Sequence, residues 1–460
     1  MSARSPLQGD ELPRILTPPP GPKSRASVKR LRRVESPAIW GKGADPIVWS
    51  RGRGAVIEDL DGNRYLDLTS GFGAVSLGHA APEVARAVAR QGKRLAQGLG
   101  DLTPNEAREK LVRTLSKLGG ALSRVLLAST GSEAVELALK TAAIATTRRR
   151  FVAFSGGYHG DSYGALEATQ HPEPPAAIRA QRSGRAIHIP YPCQYRCSAT
   201  KPCAAVCDRA CFTEGLAAID RALGGEDPPG AILVEPIQGR AGAIVPPAWF
   251  LPELCGAARA RGLLVIYDEV MTGACRTGPF WAWERSGPEA EPDLLCAGKG
   301  LGGGVAIAAV FSKRKWMDRW SAVAPASGEA PHASTFYGHP LACAGALAAL
   351  RVLTARGFRE RVEARGRDLA EGLARVASRH PSIVGEVRSA GLLGAIEFVR
   401  DRDSREPAPD RAKAALEALL ARGVLAIPGG IHGNVISLLP PLTITEEQLR
   451  YALDQMSWGM

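Results

Sequence analysis

The sequence predicts an α/β protein, and three observations carry that expectation. Short apolar strands without polar alternation recur between helical patterns, as in a mostly parallel sheet covered on both faces. Acidic, basic and hydroxyl residues follow the carboxyl ends of those strands, where open α/β sheets bind ligands. At 460 residues, the chain is too long for one minimal core, so two packed units are expected.

Residues 1–36 form a basic, proline-rich arm, with Pro18-Pro19-Pro20 followed by Gly21-Pro22, and read as extended. Residues 37–85 begin a small domain, in which GAVIEDLDGNRYLDL gives two strands around an Asp61-Gly62-Asn63 turn. PEVARAVARQGKRLA and PNEAREKLVRTLSKL are helical, the second with Thr103 as N-cap and Pro104 at the first helical position. RVLLAS is a strand and SEAVELALKTAAIATT a helix. FVAFS, AILVEP, LLVIYDEV, PDLLCAGKG and AIAAVFS supply further strands of a large domain over 86–340, with a cysteine-rich insertion at 190–215. From 341 to 460, the helix LACAGALAALRVLTARG leads into mixed strands and helices, which join the N-terminal segment in a smaller α+β domain.

The composition, 45% hydrophobic and 23% charged, is that of a soluble globular protein and excludes disordered and fibrous classes. No stretch approaches the ~20 apolar residues of a membrane span, and MSARSPLQGDELPRIL lacks the apolar run of a secretory signal, so a cytoplasmic enzyme is expected. The net charge of +12 is concentrated in residues 1–53, with eleven Lys or Arg against four Asp or Glu. No nucleic-acid motif accompanies it, so a solvated arm laid over the protein or its partner subunit is the reading. Five of nine cysteines, Cys193, Cys197, Cys203, Cys207 and Cys211, crowd into one segment. Their spacing is near that of zinc sites, and Cys203, Cys207 and Cys211 would share one helical face. Pro192 and Pro202 argue instead for an irregular excursion with reduced thiols, and no metal is expected.

Asp268 emerges at the end of the apolar strand LLVIYDEV. A buried carboxylate needs a partner. A protonated pyridine nitrogen serves, and backbone amides or Arg276 are the alternatives. Lys299 follows the next strand between Gly298 and Gly300. A lysine held there loses its proton readily and attacks aldehydes. The match of Gly298, Gly300 and Gly303 to a dinucleotide fingerprint lacks its downstream acid and is set aside. Thr130-Gly131-Ser132 opens a helix after RVLLAS, which makes a ready phosphate site or a simple cap at Thr130 or Ser132.

The ordered set ASTGSEAVELALK, FSGGYHG, LVEPIQGRAGAIVPP, YDEVMTGACRTG, AGKG and STFYGHPLACAGALAAL resembles the class III aminotransferases of pyridoxal-phosphate (PLP) fold type I. The start LPRILTPPPGPKSRA resembles one branch, described as 4-aminobutyrate aminotransferases or broad amino-acid racemases. The resemblance implies a mostly parallel seven-stranded sheet between helices, the cofactor pyridoxal 5'-phosphate, an amine donor and a carbonyl acceptor, and a homodimer with shared active sites. By position, Lys299 would be the Schiff-base lysine and proton shuttle, Asp268 the partner of the ring nitrogen, and Glu235 would hydrogen-bond beside it. Tyr158 and Val270 would cover the two ring faces, with Met271 near the phenolic oxygen. Gly131 and Ser132 would hold the phosphate, joined by Thr335 from the second subunit.

Three departures concern substrate. Members that use 2-oxoglutarate commonly have Arg after YHG, where this chain has Asp161. They have Arg in a segment of form IRxxPPL, where it has Ser437, and Glu after EPIQG, where it has Arg240. Losing two carboxylate-binding arginines removes ~2–5 kcal/mol apiece of affinity for glutamate. An ω-amine, an amino sugar, an aldehyde or an alanine/pyruvate couple is expected instead. Cys275 is expected near the cofactor. A racemase, epimerase or lyase on the same scaffold is the alternative, and a binding protein on a retired enzyme fold is disfavoured because Lys299 and Asp268 are both present.

Overall fold

The first hairpin forms where turn chemistry dictates. Strands β2 (Val56–Asp59) and β3 (Arg64–Asp67) pair antiparallel, and Asp59 Oδ1 accepts the amides of Asp61 and Asn63 across the turn. Gly62 has φ of +93°, a left-handed conformation that glycine adopts without penalty. Strand β1 (Trp49–Arg53) adds to β2. The structure, a computed structural model, describes residues 7–41, 45–197 and 209–458.

The proline-rich arm is only partly extended. Pro22–Leu31 is a helix, because Asp61 of the hairpin turn accepts the amides of Lys23 and Ser24 and so satisfies donors that a helix start leaves open. Asn63 fixes the preceding segment, accepting from the amides of Leu16 and Thr17. A second correction concerns the helix expected to be capped by Thr103. It runs Glu106–Leu118, with the Asn105 side chain accepting the Arg108 amide at 2.9 Å. Asparagine caps better than threonine.

Seven strands build the large sheet: β4 (Arg124–Ala128), β5 (Arg150–Phe154), β6 (Ala186–Ile189), β7 (Pro229–Val234), β8 (Leu264–Asp268), β9 (Leu294–Ala297) and β10 (Ala308–Ser312). Their order is β4-β10-β9-β8-β7-β5-β6, and β10 alone runs antiparallel to its neighbours. The edge strand β6 escapes sequence reading because AIHI is short and half-buried. The unalternating apolar strands have a direct cause. On β7, Ile232 and Val234 join one core while Ala231 and Leu233 join the other, and β8 divides in the same way, Val265 and Tyr267 against Leu264 and Ile266. Helix Phe250–Ala260 covers one face and helix Gly131–Thr146 the other.

After helices Pro340–Leu353 and Phe358–Arg379, strands β11 (Val384–Ala390) and β12 (Leu393–Phe398) form a hairpin. Strand β13 (Val424–Leu425) pairs parallel with β3, so the two chain ends share a sheet. Strands β14 (Ile427–Gly429) and β15 (Val435–Leu438) complete the third sheet, ordered β11-β12-β15-β14. Among the described residues, no single helix is long and apolar enough to cross a membrane.

Replacing Asn105 with Ala should destabilise the protein by ~1 kcal/mol, while Thr103→Ala should change stability by less than ~0.5 kcal/mol. Urea unfolding of both variants checks this. Equal losses would return the cap to Thr103.

Candidate active site

Strands β4, β5, β7, β8 and β9 point the same way, so the segments leaving their carboxyl ends meet on one edge. They enclose a cavity of about 210 Å³. β9 delivers Lys299, β8 Asp268, Val270 and Met271, and β7 Glu235 and Arg240. β5 delivers Tyr158, His159 and Gly160, and β4 Thr130, Gly131 and Ser132.

Lys299 begins a short 3-10 turn with φ of +38°, an uncommon conformation for a side chain-bearing residue. Burial pushes its amine below the ordinary lysine value, against the pull of Asp268 and Glu235. The lowering favours the uncharged form, which is the nucleophile and base. Asp268 is buried. Its Oδ2 lies 2.8 Å from Nδ1 of His159, and its Oδ1 accepts the Val270 amide at 3.0 Å. Burial alone would lower the His159 imidazole, but the hydrogen bond and charge of Asp268, aided by Glu235, hold it above the ordinary value. His159 thus occupies one oxygen of Asp268, which also lines the cavity.

Glu235 accepts the amides of Tyr158 at 3.1 Å and Gly239 at 2.8 Å, which ties the β5 and β7 loops together. Burial pushes it up to about 7, with Asp268 adding to the rise and His159 opposing it.

Helix Gly131–Thr146 starts at the cavity, and Thr130 caps it by accepting the Glu133 amide. Two glycines shape this corner. A Cβ on Gly131 would lie 2.8 Å from Val270 Cγ1, and one on Gly160, at φ of +124°, would lie 1.9 Å from Ser132 Oγ. Side chains at either place would fill the cradle at the helix start. At the mouth, Tyr158 donates its hydroxyl to Asp161 at 3.0 Å, and the Arg240 guanidinium lies 4.7 Å from the Tyr158 ring centroid. Burial and Asp161 push the Tyr158 phenol up to about 12, so it stays protonated.

The structure thus gathers Lys299, Asp268, Glu235, Gly131, Ser132, Tyr158, Val270, Met271 and Arg240 around one cavity, with Asp161 at its rim. It leaves others out. Arg276 does not pair with Asp268; it donates to the carbonyls of Leu392 and Pro440. Ser437 is buried in β15, aligned with Ala395 and Ile427, and does not line the cavity, nor does Cys275, whose Sγ faces the Leu353 carbonyl. Thr335 is exposed on the surface of this chain. His159 is the residue that sequence reasoning missed, although it stands inside the motif FSGGYHG; its signal was adjacency to Tyr158, and its partner lies 109 residues away. Glu269, the neighbour of Asp268, has a different task, accepting the amides of Ala282 and Trp283. Among the described residues, no cluster of His, Cys, Asp and Glu could hold a metal ion; Cys203 and Cys207 lie outside them, and Cys211 is buried in the first turn of helix Ala210–Leu223.

A buried acid, a buried lysine pushed below its ordinary value and an open helix start in one cavity fit pyridoxal phosphate, whose ring nitrogen, aldehyde and phosphate match them in turn. The model of the family "Aminotransferase class-III" matches residues 39–458. A 4-aminobutyrate aminotransferase of Mycobacterium tuberculosis is 34% identical over 455 residues, 96% of each chain. The acetylornithine aminotransferase of Methanopyrus kandleri is 35% identical, covering 90% of this chain and 94% of that one. Among solved structures, the PLP-bound form of an amine transaminase from an uncultivated Pseudomonas species superposes with a TM-score of 0.80 at 30% identity, over 91% of this chain and 96% of the other. An (S)-enantioselective omega-transaminase from Thermomicrobium roseum gives 0.83 at 28% identity, over 95% and 97%. The chain belongs to the class-III aminotransferases. It is a transaminase with the fold of type I enzymes, and its cofactor is pyridoxal 5'-phosphate.

Burial pushes Glu269 up to about 8 from an ordinary value of 4.5. The folded state therefore binds the extra proton between those values, so stability from this group is full below 4.5 and falls as pH rises toward 8. Urea unfolding of wild type and Glu269→Gln from pH 5 to 8 should show wild type losing ground to the variant with rising pH. A constant difference would refute the assignment.

Proposed function

We propose that this aminotransferase moves an amino group from an amine or ω-amino donor to a carbonyl acceptor and is not optimised for glutamate and 2-oxoglutarate. The observation that carries this is the polar set at the cavity mouth. Arg240 is the one guanidinium among the described lining residues, spread over Tyr158, whose hydroxyl is taken by Asp161. Ser437 is buried away in β15. Glutamate brings two carboxylates to a site with one such cation, and the second would be left unpaired. Relatives are described as acting on 4-aminobutyrate, 5-aminovalerate and amines, which fits a donor whose amine lies far from any carboxylate.

When bound, pyridoxal phosphate supplies the aldehyde that takes up the amino group and the ring that accepts the electrons of the broken C–H bond. The residues do the rest. Gly131 and Ser132 present amides and a hydroxyl to the phosphate. Asp268, held by His159 and the Val270 amide, would pair with the ring nitrogen and keep it protonated. Tyr158, Val270 and Met271, which line the cavity, would hold the ring between them. Lys299 Nζ holds the cofactor at rest, then takes the proton from the donor carbon and returns it to the cofactor side. Glu235 ties the Tyr158 and Arg240 loops so that the mouth stays aligned. In a homodimer, exposed Thr335 would complete the phosphate end of the neighbouring site.

The test is a panel of amines added to purified holoenzyme without acceptor, followed by the visible cofactor band, then rates with pyruvate and 2-oxoglutarate. An ω-amine should bleach the band and exceed glutamate by at least about tenfold in kcat/KM, the factor that 1.4 kcal/mol gives. Glutamate as the best donor would contradict the reading, and a band that never converts would favour racemase or lyase chemistry. Lys299→Ala should lower turnover by about 10²–10⁴ through loss of its proton transfer. A smaller loss would place the proton transfer elsewhere.

A further inference from the structure

A second cavity adjoins the Lys299 cavity, and it is far larger, about 1000 Å³ against 210 Å³. Two loops border both. The loop after β5 gives Gly156 to the larger and Tyr158 to the smaller, and the loop after β7 gives Gln238 to the larger and Arg240 to the smaller. Arg240 stands at the junction. Its carbonyl accepts the amide of Gly430, which lines the larger cavity. Its charge acts on Lys299 on one side and on His171, a wall of the larger cavity, on the other.

The larger cavity is built to meet negative charge. Three guanidiniums line it, those of Arg182, Arg196 and Arg405. Arg182 donates through Nη2 to the Thr169 carbonyl at 2.6 Å, while its buried Nε has no hydrogen-bond partner among the described residues. Arg196 engages Glu397 through Nε, and its buried Nη2 is likewise without a partner. Arg405 donates to the Tyr195 carbonyl and lies 4.8 Å from the centre of the Tyr195 ring. The two carboxylates on the walls are already matched, Glu397 by Arg388 and Arg196 and Glu173 by Arg179. Carboxylate or phosphate oxygens are the acceptors that guanidinium groups fit best.

We propose that the larger cavity is an oxyanion subsite that holds the distal carboxylate or phosphate of an extended donor or acceptor through Arg182, Arg196 and Arg405. The assignment rests on the aminotransferase reading of the Lys299 cavity. The reacting end enters past Tyr158 and Arg240 while the tail lies beyond Arg240. At 210 Å³, the Lys299 cavity is below the ~300 Å³ of typical small-molecule sites, so a long tail needs room elsewhere.

The test compares ω-amino acids of increasing length with n-alkylamines of matching length on holoenzyme. A kcat/KM advantage of the carboxylate should emerge with length and reach about tenfold or more, as a charged hydrogen bond gives. Arg405→Gln and, separately, Arg182→Gln should collapse that ratio in variants that keep the cofactor band. Calorimetric titration of holoenzyme with inorganic phosphate reads the cavity without turnover; binding should weaken in both variants, and phosphate should compete with the long ω-amino acids. No advantage at any length, or a ratio indifferent to both substitutions, would overturn the proposal. Phosphate that binds but does not compete would make the cavity a site for a free anion and overturn the tail assignment. If no amine converts the bound cofactor, the aminotransferase reading fails and takes the tail assignment with it, a failure distinguishable because phosphate binding is measured independently.

Discussion

The site depends on how one acidic side chain, Asp268, is held inside the protein. It stands at the end of a fully buried strand, where an isolated ionised acid would cost far more than folding can spare. His159 lies against one oxygen and the Val270 amide donates to the other. His159 itself is buried, and its imidazole is held above the ordinary value largely because Asp268 is there. The contact fixes both side chains, and Asp268 also lines the cavity. A cationic ring nitrogen is the natural partner of Asp268 there.

Around this pair, the sheet fixes the rest. Central strands with both faces buried hold little slack, since each residue already belongs to one of two cores, and packed cores deform little. Five strand ends therefore present their loops at set positions. Glu235 then links two of those loops through the Tyr158 and Gly239 amides. The mouth residues that distinguish this chain, Asp161 and Arg240, are fastened to one another through Tyr158. On the proposed reading, substrate preference is set by residues fastened to that frame.

Much of this was legible in the sequence. The strands ending in Asp268 and Lys299 were readable because apolar runs of five or so residues between helices leave few other structures. The cavity residues were readable because several motifs follow those strands in order. What was not legible depends on distant partners. His159 finds Asp268 across 109 residues, Asp61 caps the arm helix from 37 residues beyond Ser24, and Asn105 displaced Thr103 by a difference in cap geometry that spacing alone does not encode. Ser437 lines no part of the Lys299 cavity because it is buried within the third sheet, with its hydroxyl beside Gly429.

The central claim is that Lys299 is the residue that holds the cofactor. Reduction of the holoenzyme with borohydride, followed by peptide mass spectrometry, tests it most directly, because reduction makes the attachment permanent. The account predicts the added pyridoxyl phosphate mass on the peptide containing Lys299 and on no other lysine. The same mass on a different lysine, or no retained mass on a protein that shows the cofactor band, would contradict it.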